Sequence, residues 1–335
     1  RLSRLARRHR DPAVREVARA ASRECLAPDT ALSALAFWAA RAAVRTWRPR
    51  AFLAFYEGHA VEPCIRWGVK AADRGCLTVG YQHTVLLPVH LASFRRHDGA
   101  GPEAQPDVVL CLGPRTRAML QPSHPRARLV VFGTFRELPA AAQRREPRPP
   151  MRVVLVVPES GLIAEAQALF QFAMDASRAL PDHRFLFRCH PIMPFDRLRA
   201  HLRASPDGLP NVEVSQRSSI ADDFARSSVL LYRGSSSALY AVLHGLKPVY
   251  VRVDPRLDGD PLFELDGWRE FVSTVSDLEQ VVRRYAAASP EEVRGAWQEA
   301  VGYVERYTTP VSEASLDAFL RALTISPGEE APCGA

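Results

Sequence analysis

Short, continuous apolar runs alternate along this chain with stretches whose apolar residues recur every three to four positions. The runs read as strands buried on both faces, and the longer period reads as helices packed by one side. The pattern predicts helices over 2–25 and 30–47, a strand over 51–56, a helix from about residue 61, and strands over 77–81, 107–112 and 129–132. Residues 139–150 hold four prolines and no apolar period, which predicts a linker. The alternation then restarts. Strands are expected over 152–157, 184–188, 212–214, 229–232 and 248–251, with helices over 162–180, 195–204, 220–226 and 236–244 between them. Helices over 276–287, 290–307 and 312–323 close the chain. Strand–helix alternation implies mostly parallel sheets covered on both faces. Its restart after the linker implies an α/β fold of two Rossmann-like lobes facing a central cleft. The expected division is 1–138 for the first lobe with its leading helices, 139–150 for the linker, 151–310 for the second lobe, and 311–335 for a closing helix and tail.

Composition narrows the class. A chain of 335 residues, 47% hydrophobic and 24% charged, is long and apolar enough for two folded cores. Its net charge of +7 admits nucleic acid, an anionic membrane surface or phosphate-bearing substrates as partners. Nucleic-acid binding calls for aromatics interleaved with the basic residues. The arginine-rich opening, residues 1–23, has no Phe, Tyr or Trp, so nucleic acid is not expected as a partner. That opening is expected on a surface, peripheral to any chemistry, against anionic lipid or a polymerase partner. Cys25, Cys64, Cys76, Cys111, Cys189 and Cys333 form no C-x-x-C pair, which implies a reducing compartment and no zinc site. The longest apolar stretch, 31–44, is interrupted by Arg41 and is too short to span a bilayer. A cytoplasmic location, peripheral on the inner face of the membrane, is expected.

Ligands of such sheets bind beyond the carboxyl ends of the strands, so the residues that follow each strand carry the candidate chemistry. The first strand leads into Tyr56-Glu57-Gly58-His59-Ala60-Val61-Glu62. Glu57 and Glu62 are candidate catalytic carboxylates, able to act as general base toward a hydroxyl. Glu62 fits equally well as a first-turn helix residue favoured by the macrodipole. Gln82 and His83, directly behind the second strand, are candidate substrate-binding residues. In the second half, Ser160 in Pro158-Glu159-Ser160-Gly161 suits an anion or an ordinary N-cap. The run Phe187-Arg188-Cys189-His190-Pro191 places a guanidinium and an imidazole at a strand end, both suited to phosphate. Gly234-Ser235-Ser236-Ser237, between a strand and a helix, is the clearest candidate anion cradle. One of its serines is expected to serve as the N-cap. The motifs G-x-x-x-x-G-K-[ST], G-x-G-x-x-G, G-x-S-x-G and H-E-x-x-H do not occur.

Three patterns together resemble the two-lobed (GT-B) glycosyltransferases. They are Tyr56-Glu57-x-x-x-x-Glu62 followed by Val79-Gly80-Tyr81-Gln82-His83, the His190-Pro191 pair, and Gly234-Ser235-Ser236-Ser237 with its helix running to Gly245-x-Lys247-Pro248-Val249. More narrowly the resemblance is to bacterial surface-polysaccharide enzymes such as capsule Kdo transferases, polysialyltransferases and teichoic-acid glycerophosphotransferases. It covers about residues 50–250. The resemblance implies that His190, Ser235, Ser236 and Ser237 hold the phosphate of a nucleotide donor, commonly CMP- or CDP-linked. It implies transfer of a Kdo- or sialic-acid-type sugar to a surface polysaccharide, with a glycan or lipid-linked acceptor and Glu57 or Glu62 as the acceptor-side carboxylate. The first lobe is then the acceptor side and the second the donor side. No metal or bound cofactor is expected, the nucleotide-activated sugar being a co-substrate. Many relatives carry a glutamate on the ribose one turn into the last helix of the motif. Tyr240 stands near that position here. An epimerase or hydrolase of sugar nucleotides, or a non-catalytic binding or scaffold relative, are the alternatives.

Overall fold

The computed structural model describes residues 2–25, 27–88, 101–147, 152–158, 162–203, 205–253 and 259–324. Its helices are α1 (Leu2–Arg8), α2 (Pro12–Glu24), α3 (Pro28–Trp47), α4 (Val61–Ala72), α5 (Pro114–Leu120), α6 (Ile163–Ala179), α7 (Phe195–Arg199), α8 (Ile220–Arg226), α9 (Ser237–Leu243), α10 (Val275–Ala287), α11 (Pro290–Tyr307) and α12 (Glu313–Thr324). Its strands are β1 (Ala51–Phe55), β2 (Leu77–Tyr81), β3 (Val108–Cys111), β4 (Arg128–Val131), β5 (Val153–Val157), β6 (Arg184–Phe187), β7 (Val212–Val214), β8 (Val229–Tyr232), β9 (Lys247–Val251) and β10 (Glu270–Val272). The chain forms two α/β units. One comprises residues 1–83, 91–134 and 311–335, and the other comprises 84–90 and 135–310.

The first unit carries a parallel sheet in the order β1-β2-β3-β4. Val79, Tyr81, Val108, Leu110 and Phe132 pack with Ala322, Phe319 and Leu323, so α12 covers one face. The other face is covered from α3 and α4, where Ala40, Val44, Val69 and Cys76 enclose Phe52 and Ile65. The two helices meet at Gly68, where a Cβ would lie 2.2 Å from the Phe37 carbonyl oxygen. Only glycine allows that approach.

The second unit carries a parallel sheet in the order β10-β9-β8-β5-β6-β7. Winding runs outward from β5 in both directions, which makes a Rossmann-like lobe with its switch point between β5 and β8. Two tryptophans tie its elements together: Trp297 Nε1 of α11 donates to the Val242 carbonyl of α9 at 2.7 Å, and Trp268 Nε1 before β10 donates to that of Leu246 before β9 at 2.9 Å. Both lobes are therefore α/β with parallel sheets, as the alternation predicts.

Several boundaries differ from expectation. Helix 2–25 is two helices, because the Asp11 carboxylate accepts from Ala13 N at 2.8 Å and caps a new helix whose first residue is Pro12. The change of unit falls between Thr134 and Phe135 rather than at 139–150. The described part of the proline-rich stretch, 139–147, is held on the second lobe: Arg144 pairs with Glu305 at 2.7 Å, and Arg145 donates to the Ala225 carbonyl. Residues 311–324 return to the first unit. The short edge strand β10 was not anticipated. It pairs three residues with β9, too few to show a period.

Candidate functional site

In the first lobe, β1 ends in a buried pair. The Tyr56 hydroxyl lies 2.5 Å from His124 Nε2, while His124 Nδ1 is 3.0 Å from the Leu120 carbonyl. Nδ1 therefore carries the ring proton and Tyr56 donates to Nε2. Burial raises the tyrosine pKa to about 12 against the nearby Arg66 charge, so the hydroxyl stays protonated. The chain then turns through Gly58, whose φ of 88° suits glycine. Glu62 lies beneath that turn with its carboxylate accepting from Glu57 N at 2.7 Å and Gly58 N at 3.3 Å. Arg66 Nη1 stands 3.8 Å from the same carboxylate, and Arg66 Nε donates to the Ala104 carbonyl at 2.8 Å. Glu62 is 5% exposed. Its place is a correction to the catalytic expectation: the carboxylate is enclosed and shapes the loop, out of reach of a substrate.

Glu57 stands above, its carboxylate bracketed by His59 Nε2 at 2.8 Å and His83 Nε2 at 3.0 Å. Its side chain is 23% exposed. The His83 ring packs on Phe55 with centroids 4.2 Å apart, and its Nδ1 is enclosed. Two imidazole nitrogens thus flank the Glu57 carboxylate, which retains contact with solvent. Gln82 is a second correction. It is buried, and its Oε1 accepts from Leu112 N at 3.1 Å, joining the ends of β2 and β3 instead of facing a substrate.

In the second lobe, the residues after β8 begin with Arg233. It is buried, donates through Nε to Glu165 and through Nη1 to the Val251 carbonyl at 2.5 Å, and so fastens the strand end to α6 and β9. Gly234 takes a φ of 57°. Ser235 Oγ accepts from Ser237 N at 3.2 Å, and the N-cap residue Ser236, whose hydroxyl makes no capping bond, accepts through Oγ from Arg136 Nη1 at 3.1 Å. The Arg136 guanidinium also lies over the Tyr240 ring, 5.8 Å from its centroid. His190, after β6, is exposed, and its Nδ1 accepts from Ile192 N at 3.3 Å, which directs the ring proton to Nε2. Partial desolvation of the ring, with the Arg136 charge adding to it, holds the His190 pKa below the usual imidazole value. His190 is therefore a neutral N–H donor near pH 7.

Arg136 is the residue that sequence reading missed. It lies beyond β4, outside any strand-end motif of the second lobe, and only folding brings it to Ser236 and Tyr240. Arg188 is held by protein partners. Its guanidinium donates to the carbonyls of Arg217, Ser218 and Ser219 and to the Asp223 carboxylate at 2.7 Å. It clamps the loop after β7, and it also lines the cavity that opens beside His190. A cavity of about 610 Å³ opens beside His190, lined among others by Pro191, Phe195, Ser215 and Gln216. Ser160 lies outside the described residues. The sequence also holds an Asp-x-Asp pattern at Asp258-Gly259-Asp260, which the metal-free expectation overlooks. Asp260 is buried and accepts from the Tyr232 hydroxyl at 2.6 Å, Arg269 at 2.8 Å and Leu262 N at 2.8 Å. Asp258 lies outside the described residues.

Two Rossmann-like lobes with polar clusters beyond their strand ends define an α/β chain of the GT-B type. Solved structures of that fold resemble it across most of their length. A UDP-GlcNAc 2-epimerase from Neisseria meningitidis, bound to UDP-GlcNAc, aligns with a TM-score of 0.59 at 10% identity, covering 88% of this chain and 82% of its own. S. aureus MnaA with UDP aligns with a TM-score of 0.57 at 11% identity over 91% and 85%. The glycotransferase of kitacinnamycin aligns with a TM-score of 0.52 at 18% identity over 84% and 78%. No protein-family model and no curated protein matches the sequence.

Proposed function

We propose that this chain is a nucleotide-sugar-dependent glycosyltransferase whose second lobe holds the donor's phosphate. The observation that carries the reading is the hydrogen bond of Arg136 to Ser236 beyond β8, with His190 beyond β6 of the same sheet and within the field of the Arg136 charge. A guanidinium, a neutral imidazole N–H and a hydroxyl together offer donors to the oxygens of a departing phosphate, with the Arg136 charge offsetting the negative charge that develops there. The cavity beside His190, about 610 Å³, is of a size suited to the nucleoside. In the first lobe, Glu57 accepts the proton of an acceptor hydroxyl. His59 and His83 flank its carboxylate, and Glu62 fixes the backbone that carries it.

The nucleotide is open to decision by experiment. The motif resemblance favours a CMP-activated Kdo- or sialic-acid-type sugar and a bacterial surface glycan as acceptor, whereas structural neighbours carry UDP or UDP-GlcNAc. Thermal-shift titration with CMP, CDP, UDP and GDP ranks them, because a ligand bound only by the folded chain raises its melting temperature. Glu57→Gln is expected to lower turnover by at least ~100-fold with nucleotide affinity nearly unchanged, the low end for a general base. Full activity in that variant would overturn the assignment. The epimerase neighbour supports a second reading, isomerisation of the sugar nucleotide itself. Donor turnover that requires an acceptor supports transfer, and turnover without one supports epimerisation.

A further inference from the structure

The net positive charge of this chain resides at its beginning. Residues 1–50 hold twelve arginines against four carboxylates, whereas residues 51–335 hold 32 basic against 33 acidic side chains. Within that region, α3 turns Phe37, Ala40 and Val44 toward α4. Its opposite face carries Leu32, Leu35, Trp38, Ala39 and Ala42, all exposed. Leu32, Leu35 and Trp38 are 57%, 65% and 58% exposed, and the helical period places them on one stripe. No carboxylate occurs between Asp29 and Glu57. The Arg41 guanidinium lies 5.1 Å from the Trp38 ring centroid, and Arg45, Trp47, Arg48 and Arg50 follow, all exposed. Among the described residues no helix is long and apolar enough to cross a membrane.

We propose that the outer face of α3 docks this chain on an anionic lipid bilayer. The helix lies in the plane of the interface, with Leu32, Leu35 and Trp38 entering the boundary of the acyl chains and the surrounding arginines meeting headgroup phosphates. Tryptophan favours that depth because its ring is apolar and its N–H polar, and clustered arginines are drawn to an anionic leaflet. Charge argues against a second copy as the occupant, since a face-to-face dimer would oppose two arginine-rich surfaces. The apolar stripe argues against nucleic acid, because two of its three large members are leucines, which offer bases no stacking surface.

Flotation of the full chain with vesicles tests the proposal. Binding is expected to phosphatidylcholine vesicles containing phosphatidylglycerol and not to phosphatidylcholine alone. It should weaken at raised salt, and brominated lipid should quench tryptophan emission. Leu35→Glu should lower partitioning at least ~10-fold, the order expected when one leucine no longer enters the apolar layer. Trp38→Glu should do the same and also remove part of the quenching. Both sites are exposed, so circular dichroism and nucleotide binding should not change, and Arg45→Glu gives a third variant that leaves the stripe intact while weakening the charge term. No vesicle binding, or binding indifferent to all three substitutions, overturns the proposal. So does a dimer that Leu35→Glu dissolves, or capture of RNA or DNA in place of vesicles.

Discussion

Arg136 and Arg188 are both near His190 in function or in sequence, yet their surroundings give them different work. Arg188 holds three loop carbonyls and a carboxylate that is wholly buried, Asp223. Arg188→Ala removes that charge partner and is expected to cost about 3 kcal/mol of stability, read as a lowered urea midpoint. Arg136 is exposed and touches a serine hydroxyl and a tyrosine face. Arg136→Ala should leave the midpoint in place and weaken nucleotide binding about tenfold to a hundredfold, the range for a hydrogen bond to a charged group. If calorimetric titration showed the Arg136 variant binding normally, the donor cradle would have to be rebuilt around other residues. The same contrast separates Glu57 from Glu62. Both follow β1 in sequence, and only the fold shows that one faces outward while the other supports its backbone. Glu62→Ala should lower stability by about 1.5–3 kcal/mol through the loss of its backbone and Arg66 partners.

At the scale of elements, α3 and α4 are held together by a backbone approach rather than by side chains alone. Gly68→Ala would set a Cβ 2.2 Å from the Phe37 carbonyl oxygen, with the backbone on both sides unable to yield cheaply. The helices must then separate, at a cost of about 1–3 kcal/mol for such overpacking. A melting temperature equal to that of the parent chain would show that α3 is free to shift. The strands from β1 to β9 were legible because each is a short apolar run, and the βα alternation implied the parallel sheets. The break between α1 and α2 was written in Asp11-Pro12, a capping residue followed by a proline at the first helical position. The helical period continues across it, so pattern alone joins the two helices.

For the whole molecule, three histidines of the second lobe share one cause of perturbation. Burial lowers the pKa of His183, His190 and His244 below the usual 6.5. The unfolded chain then takes up protons more readily than the folded one in that range. The stability these groups contribute is complete above 6.5 and is lost as pH falls through it toward the lowered folded values. Urea unfolding should therefore show a lower midpoint at about pH 5.5 than at about pH 7.5. His244 packs against Phe224 with ring centroids 5.0 Å apart, and His244→Phe should flatten part of that dependence. A midpoint that rises on acidification would contradict the assignment.

The sequence by itself determined what depends on neighbours along the chain. Apolar runs and helical periods specify strands and helices, alternation specifies parallel sheets, and the strand-end positions of Glu57, His190 and the three serines follow from both. It also determined the confinement of the net positive charge to the first fifty residues. The tertiary structure decided what depends on distance in space. It enclosed Glu62 and Gln82, turned Arg188 inward onto Asp223, and carried Arg136 from beyond β4 to Ser236. It also left the apolar face of α3 exposed, because α4 covers only one side of that helix. Whether a charged side chain meets a ligand or a neighbour is settled by which carbonyls and carboxylates folding brings within about 3 Å of it, and no local pattern encodes that.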